Sequence, residues 1–194
     1  MSSLSTLAAA HAPLRPLACA SADLSDGIVT AAHLLLPDLE RGCRIDAVVL
    51  RAAMERAFGG SDAAGAWDWK TAYDACEAAT VLFIRKFGPV IRARAGSPAA
   101  ELSMLGKIAA LLPTHTRRSE ESQALQQFST PIELAFAAAT AAAITPADVV
   151  LEPSAGTGLL AIFAELAGSR LALNELVETR AALLRQLFPG AATT

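Results

Sequence analysis

The sequence predicts an α/β protein, in which an N-terminal helical region precedes a βαβα unit built on a parallel sheet. Two apolar runs, at residues 149–151 and 171–173, are each bounded by turn-forming residues and followed by a helical pattern. Upstream of residue 114 the apolar residues recur at helical spacing instead. Strands that alternate with helices along the chain normally form parallel sheets.

The composition limits the classes of function. The chain has 194 residues, of which 53% are hydrophobic and only 5% aromatic, so the core must consist largely of aliphatic side chains. A formal net charge of −3 gives no basic face for nucleic acid. Cys19, Cys43 and Cys76 form no CxxC pair and the histidines are scattered, which argues against a disulfide or zinc framework and indicates the reducing cytoplasm.

Residues 1–22 show no periodicity and are predicted to be a flexible N-terminus. A signal peptide is disfavoured because no basic segment precedes the apolar part, which Pro13, Arg15 and Pro16 interrupt. No apolar run reaches the roughly 18 residues that a membrane span requires. We therefore expect no membrane partner.

Residues 23–113 are predicted to form a helical region. The apolar stripe of its first clear helix comprises Ile45, Val48, Val49, Leu50 and Ala52. The apolar face of the next helix comprises Ala72, Cys76, Ala79, Phe83 and Phe87. Gly88-Pro89 is predicted to end that helix, and a further helix should span residues 98–112.

Two clusters in this region have competing interpretations. Trp67, Trp69 and Tyr73 could stack on nucleic-acid bases, but helix packing is the favoured role. For the modest basic cluster of Arg85, Lys86, Arg92 and Arg94, a solvated helix face is favoured over a functional role. The polar residues 114–127 are predicted to be a linker, and residues 128–194 a second domain.

Three short motifs follow the linker. In QQFSTPIELA, Thr130 is a good N-cap residue and Pro131 suits the first position of a helix. In VLEPSAGTGLLA, Glu152 ends a strand that should be buried on both faces, and a glycine-rich turn leads into a helix from Leu159. The glycines allow a ligand to approach the backbone, and the helix N-terminus offers free N–H groups.

The third motif, SRLALNELVETR, places Glu175 at the carboxyl end of the next strand. Such an acid can accept hydrogen bonds from both hydroxyls of a ribose. The segment GTGLLA also satisfies the weak dinucleotide pattern G-x-G-x-x-G/A, but Glu152 would repel a pyrophosphate. A P-loop is excluded because no Gly-Lys-Ser/Thr follows the glycines. A carboxylate there instead attracts the amine or sulfonium of S-adenosyl-L-methionine.

The segments QFSTP, LEPSAGTG and NELVETR, in this order, resemble the first motifs of the N6-adenine type of class I S-adenosylmethionine-dependent DNA methyltransferases. The resemblance implies a Rossmann-like sheet and S-adenosyl-L-methionine as cofactor. The cofactor-binding residues that it implies are Thr130, Pro131, Glu152, Pro153, Ala155, Gly156, Gly158 and Glu175. More broadly, the chain resembles the N-terminal part of bacterial proteins that join such a methylase domain to a helicase domain of the strawberry-notch type. DNA and a helicase domain are therefore the implied partners.

The chain departs from that family in lacking the Asn/Asp-Pro-Pro-Tyr/Phe tetrapeptide that holds the target base. We therefore assign no catalytic residue. We expect a fragment that carries only two strands of the sheet and is inactive alone. Uncovered sheet edges and apolar faces should promote self-association.

Two other functions fit the sequence. The chain could be a helical adaptor whose nucleotide fold is vestigial, which binding to a protein or to DNA without cofactor binding would indicate. It could also be an oxidoreductase, in which case it should bind NAD and not S-adenosyl-L-methionine.

Overall fold

A computed structural model describes residues 17–113 and 129–194, and in them the chain is mixed α/β and mostly helical. The helices are α1 (Leu17–Glu40), α2 (Ala47–Phe58), α3 (Trp69–Ala95), α4 (Pro98–Ala109), α5 (Ile132–Ala141), α6 (Ala161–Leu166) and α7 (Glu178–Leu187). The strands are β1 (Val149–Glu152), β2 (Arg170–Leu173) and β3 (Ala192–Thr193). The predicted α/β class is thus confirmed. Residues 1–16 of the expected flexible N-terminus and the predicted linker lie outside the described residues.

The sheet is parallel, with the strand order β1-β2-β3. The expectation of two strands was wrong, because the backbone of Thr194 makes two hydrogen bonds that add a third. Its N–H donates to the carbonyl of Leu173 at 2.9 Å, and its carbonyl accepts from the N–H of Glu175 at 3.0 Å. A strand of two residues is too short to show a sequence period.

Strand β1 is more exposed than its apolar sequence predicts. Val149 is 56% exposed and Leu151 66%, whereas Val150 and Glu152 on the opposite face are half-buried. The prediction that both faces are buried was therefore wrong. In the described residues β1 pairs only with β2, and no element covers the face of Val149 and Leu151.

Helix α2 buries only part of the predicted stripe, since Leu50 is buried as expected but Val48 and Ala52 are exposed. Val48 is 75% exposed, whereas Leu50, Ala53 and Met54 are buried. The helix starts at Ala47, after the side chain of Asp46 has capped it by accepting from two backbone N–H groups, and it ends at Gly59 in the left-handed conformation. Ile45 is also buried as predicted, although it precedes the cap, so the stripe was wrong at Val48 and Ala52 and missed Ala53 and Met54.

Helix α3 continues through Gly88 and Pro89, so the predicted stop there was wrong. A Cβ at Gly88 would lie 2.6 Å from Cδ1 of Leu166, so a glycine at this position allows α3 and α6 to pack closely. Arg85, which was assigned to a solvated face, instead forms a bidentate salt bridge with Glu165 at 2.7 and 2.8 Å. Tertiary packing against α6 thus outweighs the backbone hydrogen bond that Pro89 removes.

The two tryptophans pack within the helical region. Trp67 is 4% exposed and donates its indole N–H to the carbonyl of Gly60 at 2.9 Å. The indole N–H of Trp69 donates to the carboxylate of Asp62 at 3.1 Å. The centroids of the two tryptophan rings lie 5.7 Å apart in an edge-on arrangement. These contacts support the packing role favoured above.

One buried cluster includes residues from both predicted domains. Helix α3 lies at its centre and packs against α1, α4 and α6, while α1 also packs against α7. Side chains of α3 therefore lie beside the sheet unit and can contribute to a site there. Among the described helices, none is long and apolar enough to cross a membrane.

Candidate functional site

The carboxyl ends of β1 and β2 bring the predicted acidic residues to one edge of the sheet. Glu152 pairs in register with Leu173, and its carbonyl accepts from the N–H of Asn174 at 2.9 Å. The side-chain amide of Asn174 donates to the carbonyl of Pro153 at 2.9 Å. Glu152 and Glu175 therefore leave adjacent strands at the same edge.

Residues 153–160, here called the glycine turn, connect β1 to α6. The predicted helix start at Leu159 was wrong, because the helix begins at Ala161 and has only six residues. Gly156 and Gly158 have φ values of +57° and +92°, which side chains other than that of glycine rarely adopt. The turn thus takes up residues that the sequence assigned to the helix.

Glu175 holds the glycine turn in place. Its Oε2 accepts from the N–H of Gly156 at 2.9 Å, and its Oε1 accepts from the N–H of Val177 at 3.0 Å. A carboxylate can accept about four hydrogen bonds, so each oxygen keeps a lone pair for a ligand hydroxyl. Glu175 can therefore serve both the turn and a ribose.

Other amides of the glycine turn also have internal partners. The N–H of Ala155 donates to the carbonyl of Asn174, and the N–H of Gly158 donates to the carbonyl of Ala155, both at 2.9 Å. Together with the N–H of Gly156, three amides of the glycine turn are thus already bonded within the protein. This part of the turn does not cradle a phosphate through free N–H groups.

Glu152 is half-buried, and burial raises the pKa of its carboxyl above the ordinary 4.5, while a hydrogen bond from the Ser154 backbone lowers it by less. A raised pKa means that the protein disfavours the negative charge when nothing opposes it. A cationic group placed beside this carboxylate would relieve that cost.

The two glycines have different structural roles. A Cβ on Gly156 would meet no atom within 4 Å, whereas a Cβ on Gly158 would lie 2.3 Å from the ring of Phe188 and 3.3 Å from Leu184. The space beside Gly156 is therefore open, and the residue is constrained only by its positive φ and by any ligand that approaches the turn. Gly158 is required by the packing of α7 against the turn.

Glu77 is a site residue that the sequence motifs do not reveal. It lies on α3, is 6% exposed, and accepts from the hydroxyl of Thr157 in the glycine turn at 2.6 Å. It is also hydrogen-bonded to the side chain of Ser129. Glu77 therefore joins the Ser129-Thr130-Pro131 segment to the glycine turn, and so brings the first predicted motif to the second.

Burial raises the pKa of Glu77 above 4.5, and the neighbouring charge of Asp74 raises it further. The hydrogen bonds from Ser129 and Thr157 and the charge of Arg180 oppose this increase. The carboxyl of Glu77 thus holds its proton more tightly in the folded chain than in the unfolded one.

Asp74 and Arg180 form a buried ion pair between α3 and the first turn of α7. The guanidinium of Arg180 donates to the two carboxylate oxygens of Asp74 at 2.6 and 3.3 Å, and Lys70 lies 3.8 Å from the same carboxylate. Asp74 is 2% exposed and Arg180 7%. This pair fixes α7, and with it Val177 and Glu175, relative to the helical region.

Thr130 and Pro131 do not cap α5 as predicted. Pro131 occupies the N-cap position with an extended ψ of 140°, the helix starts at Ile132, and no side chain makes a capping bond. Thr130 is half-buried and Pro131 is exposed. The capping prediction was wrong because the extended backbone of Pro131 places it before the helix.

The remaining predicted residues divide by exposure. Pro153 is exposed at the rim of the glycine turn, and Ala155 is buried beneath it. No group of three or more potential metal ligands occurs among the described residues. Glu77 had one sequence signal, since it and Asp74 are acids three residues apart among apolar residues of a helix, and buried acids require partners.

Comparisons of the chain with protein-family models, with curated proteins and with solved structures give no match.

Proposed function

We propose that the chain binds S-adenosyl-L-methionine at the carboxyl edge of its sheet and is the cofactor-binding part of a methyltransferase with a Rossmann-like fold. The observation that carries the proposal is the contact between Glu175 and the N–H of Gly156, 2.9 Å long, with Glu152 ending the adjacent strand. This arrangement presents two carboxylates and a glycine-rich backbone to the same space.

Each part of the cofactor has a chemical counterpart at this edge. The ribose hydroxyls would donate to the free lone pairs of Glu175, and the amine or sulfonium would lie near the half-buried Glu152. Leu176 is 82% exposed directly after Glu175 and offers an apolar surface to the adenine ring. Thr130 and Pro131 are the residues that would close over the methionine end.

The bonding within the glycine turn favours this cofactor over a dinucleotide. A pyrophosphate needs several free N–H groups, but those of Ala155, Gly156 and Gly158 are bonded internally. The partly buried Glu152 would repel it further. S-adenosyl-L-methionine has no phosphate and carries positive charge, so neither feature opposes it.

The residues of this chain account for cofactor binding but not for binding of the methyl acceptor. The sequence contains no Asn/Asp-Pro-Pro-Tyr/Phe tetrapeptide, so no residue is assigned to the target base. DNA as the substrate, N6 of adenine as the acceptor and a helicase as partner rest on the resemblance of the three motifs. Methyl transfer by these residues alone is not proposed.

Isothermal titration calorimetry with S-adenosyl-L-methionine, methylthioadenosine and NAD tests the proposal. Methylthioadenosine keeps the ribose and adenine but lacks the amino acid end and the sulfonium charge. Glu175→Gln should weaken both adenosine ligands about tenfold, which is about 1.4 kcal/mol. Glu152→Gln should weaken only S-adenosyl-L-methionine.

The dependence on pH gives a second readout. Because the pKa of Glu152 is raised above 4.5, this carboxylate is neutralised at a higher pH than an ordinary glutamate. We expect the affinity for S-adenosyl-L-methionine to fall as the pH decreases through that pKa. Glu152→Gln should remove this dependence.

Glu178→Gln is the matched control, because Glu178 lies on the exposed surface of α7 and pairs only with Arg185 among the described residues. Binding of NAD in preference to the adenosine ligands would overturn the proposal. So would an absence of cofactor binding combined with capture of DNA or of a helicase, which would support the adaptor function.

A further inference from the structure

A cavity lies at the opposite end of α6 from the glycine turn. Its volume is about 420 Å³, within the range of small-molecule sites. The C-terminal ends of α5 and α6 line it together with the end of α3 and the start of α4. The glycine turn precedes the N-terminus of α6, so the two places are separated by the length of that helix.

The cavity has an apolar floor of two aromatic rings. Phe136 and Phe163 are 5% and 3% exposed, and their centroids are 5.6 Å apart in an edge-to-face arrangement. Such a surface suits a compact aliphatic group.

A largely buried carboxylate, that of Glu101, lines this cavity and forms an ion pair with Arg92. Glu101 is 6% exposed, and its ion-pair partner in the described chain is Arg92, with 3.7 Å between the nearest nitrogen and oxygen. That separation is too long for a hydrogen bond. The Glu101 carboxylate is therefore held by charge rather than by a hydrogen bond, and it can accept from a donor that enters the cavity.

Arg92 supplies the complementary charge. Its side chain is 51% exposed, lines the cavity, and leaves its N–H donors free of hydrogen bonds to the described residues. The start of α4 at Ser97 also lines the cavity, and the N-terminus of a helix favours negative charge. A carboxylate beside Arg92 would satisfy both.

The backbone at the rim is strained. Ala143 lines the cavity with a φ of +49° and is the one residue other than glycine with positive φ among those described. Strained residues of this kind are concentrated at ligand sites.

We propose that this cavity binds a small zwitterion, namely an α-amino acid with an aliphatic side chain. The ammonium donates to Glu101, the carboxylate accepts from Arg92, and the side chain lies on Phe136 and Phe163. An α-amino acid carries both charges on one carbon, so it matches two opposite charges that lie side by side.

Calorimetric titration of the whole chain with L-leucine, N-acetyl-L-leucine and L-leucinamide tests the inference. The acetyl group removes the ammonium and the amide removes the carboxylate, so each derivative should bind at least tenfold more weakly than L-leucine. This comparison uses the unmodified chain and does not depend on the folding of a variant.

Variants then assign the two charges. Glu101→Gln should bind L-leucine at least tenfold more weakly and lose the discrimination against N-acetyl-L-leucine, and Arg92→Gln should lose the discrimination against L-leucinamide. Glu55→Gln is the matched control, because Glu55 lies on α2, which contributes no residue to the cavity lining. Thermal melts establish that each variant is folded.

Three results would overturn the inference. They are an absence of binding by L-leucine, equal binding of L-leucine and its capped derivatives, and competition between L-leucine and methylthioadenosine, which has no amino acid end. The last result would place L-leucine at the glycine turn, and it leaves the proposed function unaffected.

Discussion

Helix α3 and strand β1 invert the usual relation between polarity and burial. Helix α3 buries Asp74 and Glu77 at the centre of the molecule, whereas β1 exposes Val149 and Leu151 at its surface. The charges of α3 are compensated by Arg180 and by hydroxyl groups of the sheet unit. The apolar side chains of β1 have no comparable neighbour among the described residues.

The difference shows that this chain is not organised by hydrophobicity alone. The buried acids of α3 connect the helical region to the candidate site. Their contacts fix the glycine turn and α7 in position, which offsets the cost of removing two carboxyl groups from water. Strand β1 contributes to the same site through Glu152, but its outer face contributes nothing there. Polar groups thus define the inner junction, and the apolar outer face is available for association.

The largest expected effect comes from breaking the junction at α3. Arg180→Met removes the buried cation and leaves Asp74 and Glu77 beside each other, with Lys70 as a more distant partner. The free energy of unfolding should fall by about 3–5 kcal/mol. Urea denaturation followed by circular dichroism measures it.

Arg185→Met is the control for that experiment, since Arg185 lies on the same helix in an exposed pair with Glu178. It should cost less than about 1 kcal/mol. Equal losses of unfolding free energy in Arg180→Met and Arg185→Met would show that the buried ion pair contributes no more to stability than the exposed one.

The next effect probes the sheet side of the junction. Gly158→Ala places a Cβ against Phe188 at an unfavourable φ, and should lower the free energy of unfolding by roughly 2–4 kcal/mol. Gly156→Ala pays only the backbone cost, roughly 1–2 kcal/mol. Combining Gly158→Ala with Phe188→Leu should recover part of the loss in the same denaturation measurement. A Gly158→Ala variant as stable as Gly156→Ala would contradict the packing role.

Glu77 gives an effect that depends on pH. Its folded pKa is raised above the unfolded 4.5, so its contribution to stability is fully present below pH 4.5 and decreases as the pH rises through the folded pKa. Glu77→Gln should therefore have a higher urea midpoint than the unmodified chain above that window, with the difference disappearing in acid. Glu77→Ala should cost about 1–3 kcal/mol in acid, because the Thr157 hydroxyl loses its acceptor, and less at a pH above that window. A difference between the unmodified chain and Glu77→Gln that does not vary with pH would refute the titration.

The smallest effect on stability is expected at the outer face of β1. Leu151→Thr should change the free energy of unfolding by no more than about 0.5 kcal/mol, because Leu151 is 66% exposed. It should nevertheless reduce self-association, as measured by sedimentation velocity over a range of concentrations. Val150→Thr, on the half-buried face, is the control and should leave association unchanged while lowering stability. A chain that stays monomeric throughout would show that the exposed face does not associate.

The sequence was informative where local chemistry determines structure. The apolar runs ended by Glu152 and Asn174 predicted both longer strands and the edge where the acids lie. The glycine turn was predicted because Gly156 and Gly158 need no side-chain context to permit positive φ. Trp67 was correctly assigned to packing on size and composition alone.

The predictions failed where the local structure depends on contacts between residues that are distant in the sequence. Gly88-Pro89 was taken for a helix end because the contact of Gly88 with Leu166 joins residues far apart in the sequence. Glu77 was missed because its partners Ser129 and Thr157 lie in other segments. The exposure of Leu151 was missed because an apolar run does not report whether a neighbour covers it.

The positions of the tryptophans provide an optical reporter. The chain has two, and both lie in the helical region, where Trp67 and Trp69 contact each other and the Gly60–Asp62 loop. Their fluorescence therefore follows the melting of that half, while backbone circular dichroism in the far ultraviolet follows both halves. Coincident transitions at both wavelengths would identify the two halves as one cooperative unit, joined through the ion pair at α3.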